Sequence, residues 1–459
     1  MTHESPHDAL DELLIRGVGE LIDPEGTFRK KLTENPKEVV IKFGVDPTRP
    51  DIHLGHAVAF RALRRFQNLG CKVVFLIGDV TALIGDPTGK SKVRPVLHEE
   101  EVNRNKETFL NQVNKILLTD PSVFAWTQNS DWYVGINDVT TPAGTTAQFM
   151  VGDKKFTLEN LPENNLLAKA YAWEQSRIQK GTFLNYTLLN ILSVLRKVTH
   201  QRLISRDLFQ KRIEQGEELY MHEMLYPVLQ GIDSSVLSSI FGSCDLEVGG
   251  TDQTFNMLMG RDVMKAGNQT PQAVLSFELL EGLDGKEKMS KSLDNYIAIT
   301  DEPNDMYGKI MSLPDSLIPK YFKLCTYTPL EAIEDIEKAL EKGKENPRDI
   351  KMRLAREIVE MYHGRERAVG AEESFINTFS KGKVPEDVLT VEIKMGTTLL
   401  DVLKEQELVT SNTDFRRLVE AGAVSLVESG IIVDAVDFVP SESGTFRVGK
   451  SRFIKVVIA

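Results

Sequence analysis

The stretch from Glu38 to Val80 constrains the fold more than any other. "EVVIKFGV" (38–45) is a short apolar run closed by the turn pair Asp46-Pro47, and "KVVFLIGDV" (72–80) is a second such run. Both read as strands buried on two faces. Between them, in "HAVAFRALRRFQNLG", Ala59, Ala62, Leu63, Phe66 and Leu69 fall on one helical face. Arg64, Arg65 and Gln67 fall off it, and Gly70 supplies a C-terminal stop. Strand, helix and strand in so few residues form a βαβ unit, which implies a parallel sheet. Ligands of such sheets sit at the carboxyl ends of the strands. The loop after Val45 is therefore the first place to look for a site.

At 459 residues the chain exceeds one compact core, so two or three domains are expected. With 41% hydrophobic and 27% charged residues it reads as globular. No apolar run approaches membrane-spanning length. "MTHESPHDALDEL" lacks the order of a signal peptide and is too acidic for a transit peptide, so a cytoplasmic location is expected. Cys71, Cys244 and Cys325 are far apart, which argues against a disulfide framework or a cysteine zinc site. A net charge of −12 gives no global sign of nucleic-acid binding, so any RNA contact needs local basic patches.

From Ile136 to about Gly181 the regular pattern is lost, and the segment reads as an insertion with loop and hairpin character. Helical periodicity returns at "LLNILSVLRKV" and "HEMLYPVLQGI". A strand-like "SFELLEGL" then leads into the tight-turn pair Asp284-Gly285. After about Cys325 the chain turns helical and charged: Asn346-Pro347 make an N-cap pair, and Ile350, Leu354, Ile358 and Met361 form a stripe at helical spacing. "FSKGKVPEDV" reads as a linker. The tail reads as two short helices and a strand, followed by strands around "IIVD" and "RFIKVVIA".

Four stretches carry chemistry. In "DIHLGHAV", His53 and His56 flank Leu54 and Gly55. A zinc-peptidase pair needs a spacing of four with an intervening glutamate, and no third ligand lies nearby. Two readings remain open on spacing alone. One histidine can cap the helix while the other is a satisfied polar residue. Alternatively, both donate to phosphate oxygens at a helix N-terminus, with Gly55 clearing space for a ligand. "IGDPTGKSK" is one residue short of a P-loop. It is either a solvated turn or a loop offering Asp86 to an ammonium and Lys90, Lys92 and Arg94 to a polyphosphate. "KMSKS" (288–292) is either a surface loop or a mobile clamp for departing pyrophosphate. In "EVGGTDQ" (247–253) a Gly-Gly pair permits close approach of backbone to ligand, and Asp252 and Gln253 suit hydroxyl and carboxylate partners.

The ordered pair "HLGH" and "KMSKS" resembles the two signatures of class I aminoacyl-tRNA synthetases. "FGVDPTRPDIHLGH", "LIGDPTGKSKVRP", "YPVLQGID", "GGTDQTFN" and "LDGKEKMSKSLDN" resemble the bacterial tyrosyl-tRNA synthetases in particular, and "SNTDFRRLVEAGAVSL…IIVD" resembles an S4-type RNA-binding domain. The likeness covers most of the chain. It implies an α/β, Rossmann-type catalytic domain over 1–325, a helical anticodon-side domain over 326–385 and a small α+β S4-like domain over 394–459. It also implies two steps: tyrosine attacks ATP, supplied with Mg²⁺, to give tyrosyl-adenylate and pyrophosphate, and the tyrosyl group then passes to the terminal adenosine of tRNA(Tyr).

By that resemblance Thr48, His53 and His56 stabilise the transferring phosphate. Lys288, Lys291 and Ser292 form the pyrophosphate loop, with Lys90 and Arg94 nearby. Gly55, Gly250 and Asp252 join the histidines and Lys291 in holding ATP. Asp86, Tyr226 and Gln230 hold the substrate ammonium, Asp233 accepts from the phenol hydroxyl, and Gln253 meets the carboxylate. Arg416, Arg417, Arg447, Lys450 and Arg452 face RNA, no resident metal is expected, and the protein is a homodimer.

Two features depart from the family pattern. Lys42 stands where one branch carries a tyrosine that shares the phenol contact, and the insertion has no evident counterpart. The rival readings are a tryptophan–tRNA ligase, a small-molecule nucleotidyltransferase with an HxGH motif, and a non-catalytic RNA-binding relative. Asp233 and the S4-like tail favour tyrosine over tryptophan.

Overall fold

The computed structural model describes residues 10, 12–49, 51–88, 99–133, 148–151, 154–157, 188–290, 293–380, 388–394, 396–406, 408–409, 411–449 and 452–458. The chain divides into two compact units, Met1–Thr300 with Leu313–Lys344 and Asp301–Ser312 with Glu345–Ala459.

The first unit is built on a six-stranded sheet. Its strands are β1 (Val18–Ile22), β2 (Val40–Val45), β3 (Lys72–Ile77), β4 (Phe124–Gln128), β7 (Leu246–Gly250) and β8 (Ala273–Phe277). A separate antiparallel hairpin, β5 (Gln148–Val151) with β6 (Lys154–Thr157), agrees with the hairpin character read in the insertion. The spatial order of the large sheet is β1-β8-β7-β2-β3-β4; all neighbours are parallel except the edge strand β1. Successive strands run outward from β2 through β3 to β4, whereas β7 and β8 lie on the other side of β2. The order thus reverses between β2 and β7, and a crevice opens at their carboxyl ends, where ligands of doubly wound sheets bind.

Alternation along β2 sends Phe43 and Lys42 to opposite faces. Phe43 meets Phe60 of helix α1 (Leu54–Asn68) edge-on, with ring centroids 5.1 Å apart, and Phe75 of β3 joins the same layer at 5.9 Å. On the other face Val74, Leu76, Trp132, Ile232, Val236 and Met259 form a second apolar cluster. Two long helices cover that side, α3 (Met221–Phe241) and α4 (Thr254–Ala266). Burying one such side chain stabilises the fold by about 1.5–3 kcal/mol.

Three local expectations need correction. The second strand stops at Ile77, because the chain turns at Gly78 into a short helix, α2 (Asp79–Ile84). Gly78 is pressed so close to Asp46 and Thr81 that an added Cβ would fall 2.1 Å from the Asp46 carboxylate. Gln67, read as facing away from the core, is buried: its amide donates to the carbonyl of Leu118 at 2.8 Å and accepts from that residue's N–H at 2.8 Å. Leu69 is exposed instead, as the helix ends before it and Gly70 takes φ +94°.

In the second unit, α5 (Pro303–Met311) packs on α6 (Pro347–His363) and α7 (Arg365–Ser380). Asn346 caps α6 by accepting from the Arg348 N–H at 3.0 Å, and Ile350, Leu354 and Ile358 are buried. A four-stranded sheet follows, in the order β10-β11-β12-β9. Its strands are β9 (Thr390–Ile393), β10 (Val424–Leu426), β11 (Gly444–Val448) and β12 (Arg452–Ile458), and β9 runs parallel to β12. Helices α8 (Leu399–Glu405) and α9 (Asn412–Glu420) contribute Leu399, Leu403 and Phe415 to the core of this part. "IIVD" is not a strand: Gly430 takes φ +70°, and Ile432 makes a single bridge to Ser425. The linker read at "FSKGKVPEDV" lies largely outside the described residues.

Candidate active site

The loop after β2 passes through Thr48, whose N–H donates to the Asp46 carbonyl at 2.8 Å, and reaches α1 at His53. His53 is the N-cap residue of α1, with extended φ −116° and ψ 171°. Its N–H donates to His56 Nδ1 at 3.3 Å, and the two rings lie 3.9 Å apart, centroid to centroid. Both histidines thus stand at the amino end of a fifteen-residue helix, where free N–H groups favour an anion. Being a cap and being an anion donor are here compatible. A Cβ on Gly55 would come within 3.0 Å of the His53 ring and 3.7 Å of Met289 Cβ. Clearance at Gly55 therefore serves the histidine and the "KMSKS" segment directly.

The "HLGH" turn is stitched by backbone to the segment that follows "KMSKS". Leu54 N–H donates to the Ile297 carbonyl at 3.0 Å, Ile299 N–H donates to the Ile52 carbonyl at 3.0 Å, and His53 bridges Ala298. Asp284 anchors the preceding hairpin turn by accepting from the N–H groups of Lys286 and Glu287 at 2.8 and 2.9 Å, with Gly285 at φ +69°. Lys288 Nζ reaches Asp252 Oδ2 at 2.6 Å. Lys291 and Ser292 lie outside the described residues, as do Lys90 and Arg94.

The end of β7 delivers Gly250, Asp252 and Gln253 to the other lip of the crevice. A Cβ at Gly250 would meet Asp252 Oδ1 at 2.7 Å and Leu279 at 2.9 Å. Gln253 Nε2 donates to Asp86 Oδ2 at 2.8 Å, while Asp86 Oδ1 accepts from the N–H and hydroxyl of Thr88 at 2.9 and 2.6 Å.

Helix α3 supplies the third wall: Tyr226, Gln230 and Asp233 recur at helical spacing, on one face. Tyr226 OH donates to Asp46 Oδ2 at 2.8 Å and Gln230 Nε2 donates to Glu247 Oε1 at 3.0 Å. Asp233 is buried and accepts from Trp132 Nε1 at 3.0 Å and Asn129 Nδ2 at 3.4 Å. Burial pushes its carboxyl up to about 7, against the opposing pull of Lys42 and these donors.

Lys42 is fully buried beside these residues. Its ammonium forms an ion pair with Glu247 at 2.9 Å and donates to the Gln230 carbonyl and Ser234 Oγ at 2.8 Å each. An ammonium has three protons, and all three are engaged. Lys42 therefore has no free proton for a phenol, unlike the tyrosine that holds this position in one branch of the resembled family.

A family model for class I tRNA synthetases (W and Y) matches residues 34–380. The chain belongs to that family. The synthetase is 37% identical to a tyrosine–tRNA ligase of Francisella tularensis, over 97% of this chain and 98% of the relative. It is 41% identical to tyrosine–tRNA ligase 2 of Vibrio parahaemolyticus, over 96% and 97% of the two chains. Its fold is also that of a C-terminally truncated mitochondrial tyrosyl-tRNA synthetase from Aspergillus nidulans, with a TM-score of 0.56 and 22% identity over 81% of this chain and 93% of that one.

Sequence reasoning about the synthetase missed Asn129, Trp132 and Asp46, which hold Asp233 and Tyr226 in place. "NSDWY" directly follows β4, and a strand end of a parallel sheet was the signal available. It also missed Glu247, which faces Lys42 across the β2–β7 register. Arg416 and Arg417 on α9 and Arg447 on β11 are exposed, and Arg417 pairs with Asp414 of its own helix at 3.1 Å. Arg452 is half-buried and donates to the Leu408 carbonyl. Lys450 lies outside the described residues.

Proposed function

We propose that the chain is a tyrosine–tRNA ligase. It joins tyrosine to the α-phosphorus of ATP, releases pyrophosphate, and passes the tyrosyl group to the 3′-terminal adenosine of tRNA(Tyr). The observation that carries this reading is the crevice at the β2–β7 reversal, where the "HLGH" turn is stitched to the segment after "KMSKS" and Asp233 waits on α3. The full-length likeness to tyrosine–tRNA ligases supports the same substrates.

The attacking carboxylate is ionised at neutral pH, so the reaction needs no general base. Catalysis is positioning plus electrostatic stabilisation. Thr48, His53 and His56 donate to the α-phosphate as charge develops on it. Lys288, Lys291 and Ser292, with Lys90 and Arg94, meet the departing pyrophosphate, and Mg²⁺ enters with ATP as part of the substrate. Gly55, Gly250 and Asp252 take the nucleoside. Asp86, Tyr226 and Gln230 surround the tyrosine ammonium, Gln253 meets its carboxylate, and Asp233 accepts from the phenol. The residues over 1–325 act as the catalytic domain. Those over 326–385 and 394–459 serve tRNA, with Arg416, Arg417, Arg447, Lys450 and Arg452 toward RNA. The working form is a cytoplasmic homodimer.

Amino-acid-dependent ATP–pyrophosphate exchange tests the reading. Tyrosine is expected to support exchange and tryptophan not to. Exchange with tryptophan alone would assign the chain to the other branch of the family, and loss of exchange with retained RNA binding would make it a non-catalytic relative.

A further inference from the structure

Arg206 stands at the edge of the crevice and is only 7% exposed. Its guanidinium lies over two aromatic rings, 5.2 Å from the Phe209 centroid and 5.5 Å from that of Phe255. Nη2 donates to the hydroxyl of Thr88, the residue whose own hydroxyl and N–H hold Asp86. Nη1 is buried and has no hydrogen-bond partner among the described residues. Among the described residues no carboxylate forms an ion pair with this cation, although Asp86, Asp252 and Tyr226 all lie within its electrostatic range. Those three are pocket residues under the reading above.

A buried cation with an idle donor is costly, because the donor has lost water without gaining an acceptor. The cation–π contacts with Phe209 and Phe255 offset part of that cost. They also leave the arginine preorganised to receive an acceptor from the crevice. The carboxylates already present accept from Gln253, Thr88 and Lys288. The missing partner is therefore an anion brought by a ligand.

We propose that Arg206 is a substrate-binding residue whose Nη1 donates to an anionic oxygen of the bound substrates, either the tyrosine carboxylate or the α-phosphate of ATP. This rests on the tyrosine–ATP reading of the crevice. Tyrosine-dependent exchange by the wild-type protein is therefore measured first, and its absence would refute that reading rather than this one. With wild-type activity in hand, R206M keeps an apolar stem against the rings and removes the donor, whereas R206K keeps the charge but not the fork.

The probes are tyrosine, tyrosinol (which lacks the carboxylate) and ATP. R206M is expected to weaken the contact by about 10–100-fold, the range for a charged hydrogen bond lost from a buried site. Weaker tyrosine with unchanged tyrosinol assigns the carboxylate. A raised KM for ATP, with tyrosine and tyrosinol unchanged, assigns the phosphate. R206K is expected to lose less than R206M in the same parameter, and it carries the test alone if R206M does not fold. Unchanged parameters in R206K and R206M overturn the proposal. So do equal losses for all three probes with R206K no better than R206M, and so does an effect confined to transfer to tRNA.

Discussion

The two sides of the crevice are built differently. On the amino-acid side the polar groups are already paired with one another: Gln253 with Asp86, Tyr226 with Asp46, Gln230 with Glu247, and Asp233 with Trp132. On the phosphate side the contacts are looser. His53 and His56 rest on each other at a helix end, and Lys288 holds Asp252 through side chains that are 38% and 22% exposed. An ion pair that open contributes only about 0–1 kcal/mol, so a phosphate can take the lysine from it cheaply. Under the function proposed above, a preformed pocket takes the amino acid, while on the phosphate side Lys288 is held only by an ion pair that a phosphate can displace. On that proposal selection and acceleration are separated in space, and substitutions on the two sides are expected to have different kinetic signatures.

The largest effect is expected from His56→Ala. Loss of one positioned donor to developing charge lowers kcat for adenylate formation by about 100–1,000-fold. The KM for tyrosine, measured in the same exchange assay, stays within about threefold, because the amino-acid side keeps its partners. Next is Asp233→Asn. It is expected to raise the KM for tyrosine by about 10–100-fold, the consequence of mismatching a buried hydrogen-bonding site, with a smaller change in kcat. Steady-state kinetics with phenylalanine as competitor would show the discrimination shrinking in parallel.

A pH series sharpens the contrast. The folded Asp233 titrates near 7, above the ordinary carboxylate range, because burial disfavours its charge. If, as proposed, its ionised form accepts from the phenol, tyrosine affinity is highest above pH 7 and falls as the pH drops through it. The trend should vanish in Asp233→Asn. The sign for stability is the opposite. Since the folded value exceeds the unfolded one, ionising Asp233 costs stability as the pH rises from the carboxylate range to about 7, and bound tyrosine offsets that cost. Thermal melts with and without tyrosine on either side of neutrality check both trends.

The smallest effect is expected on helix α9, beside the C-terminal sheet. Arg416→Ala should weaken tRNA binding only a few-fold and reduce its salt dependence by about one phosphate contact, without changing tyrosine-dependent exchange.

Much of this was legible in the sequence, because it depends on residues close together in the chain. The β2–α1–β3 unit, the histidines at the strand-to-helix turn, the Asp284-Gly285 turn and the helical face of Tyr226, Gln230 and Asp233 all follow from local period or turn chemistry. What escaped depends on which strands become neighbours. Glu247 faces Lys42 only because β7 lies beside β2, and Trp132 reaches Asp233 only because the chain after β4 comes to lie against α3. Neither pairing has a local signature. Gln67 was misplaced for a similar reason: its amide serves the backbone of a loop some fifty residues away, and polarity alone put it on the solvent side.

The separation of selection from acceleration is tested most directly by single-turnover formation of tyrosyl-adenylate in His56→Ala and Asp233→Asn, with the tyrosine Kd and the chemical rate resolved for each. Most of the loss should fall on the rate in His56→Ala and on Kd in Asp233→Asn. If the two variants instead lose rate and affinity in the same proportion, the two sides of the crevice act as one unit and the account is wrong.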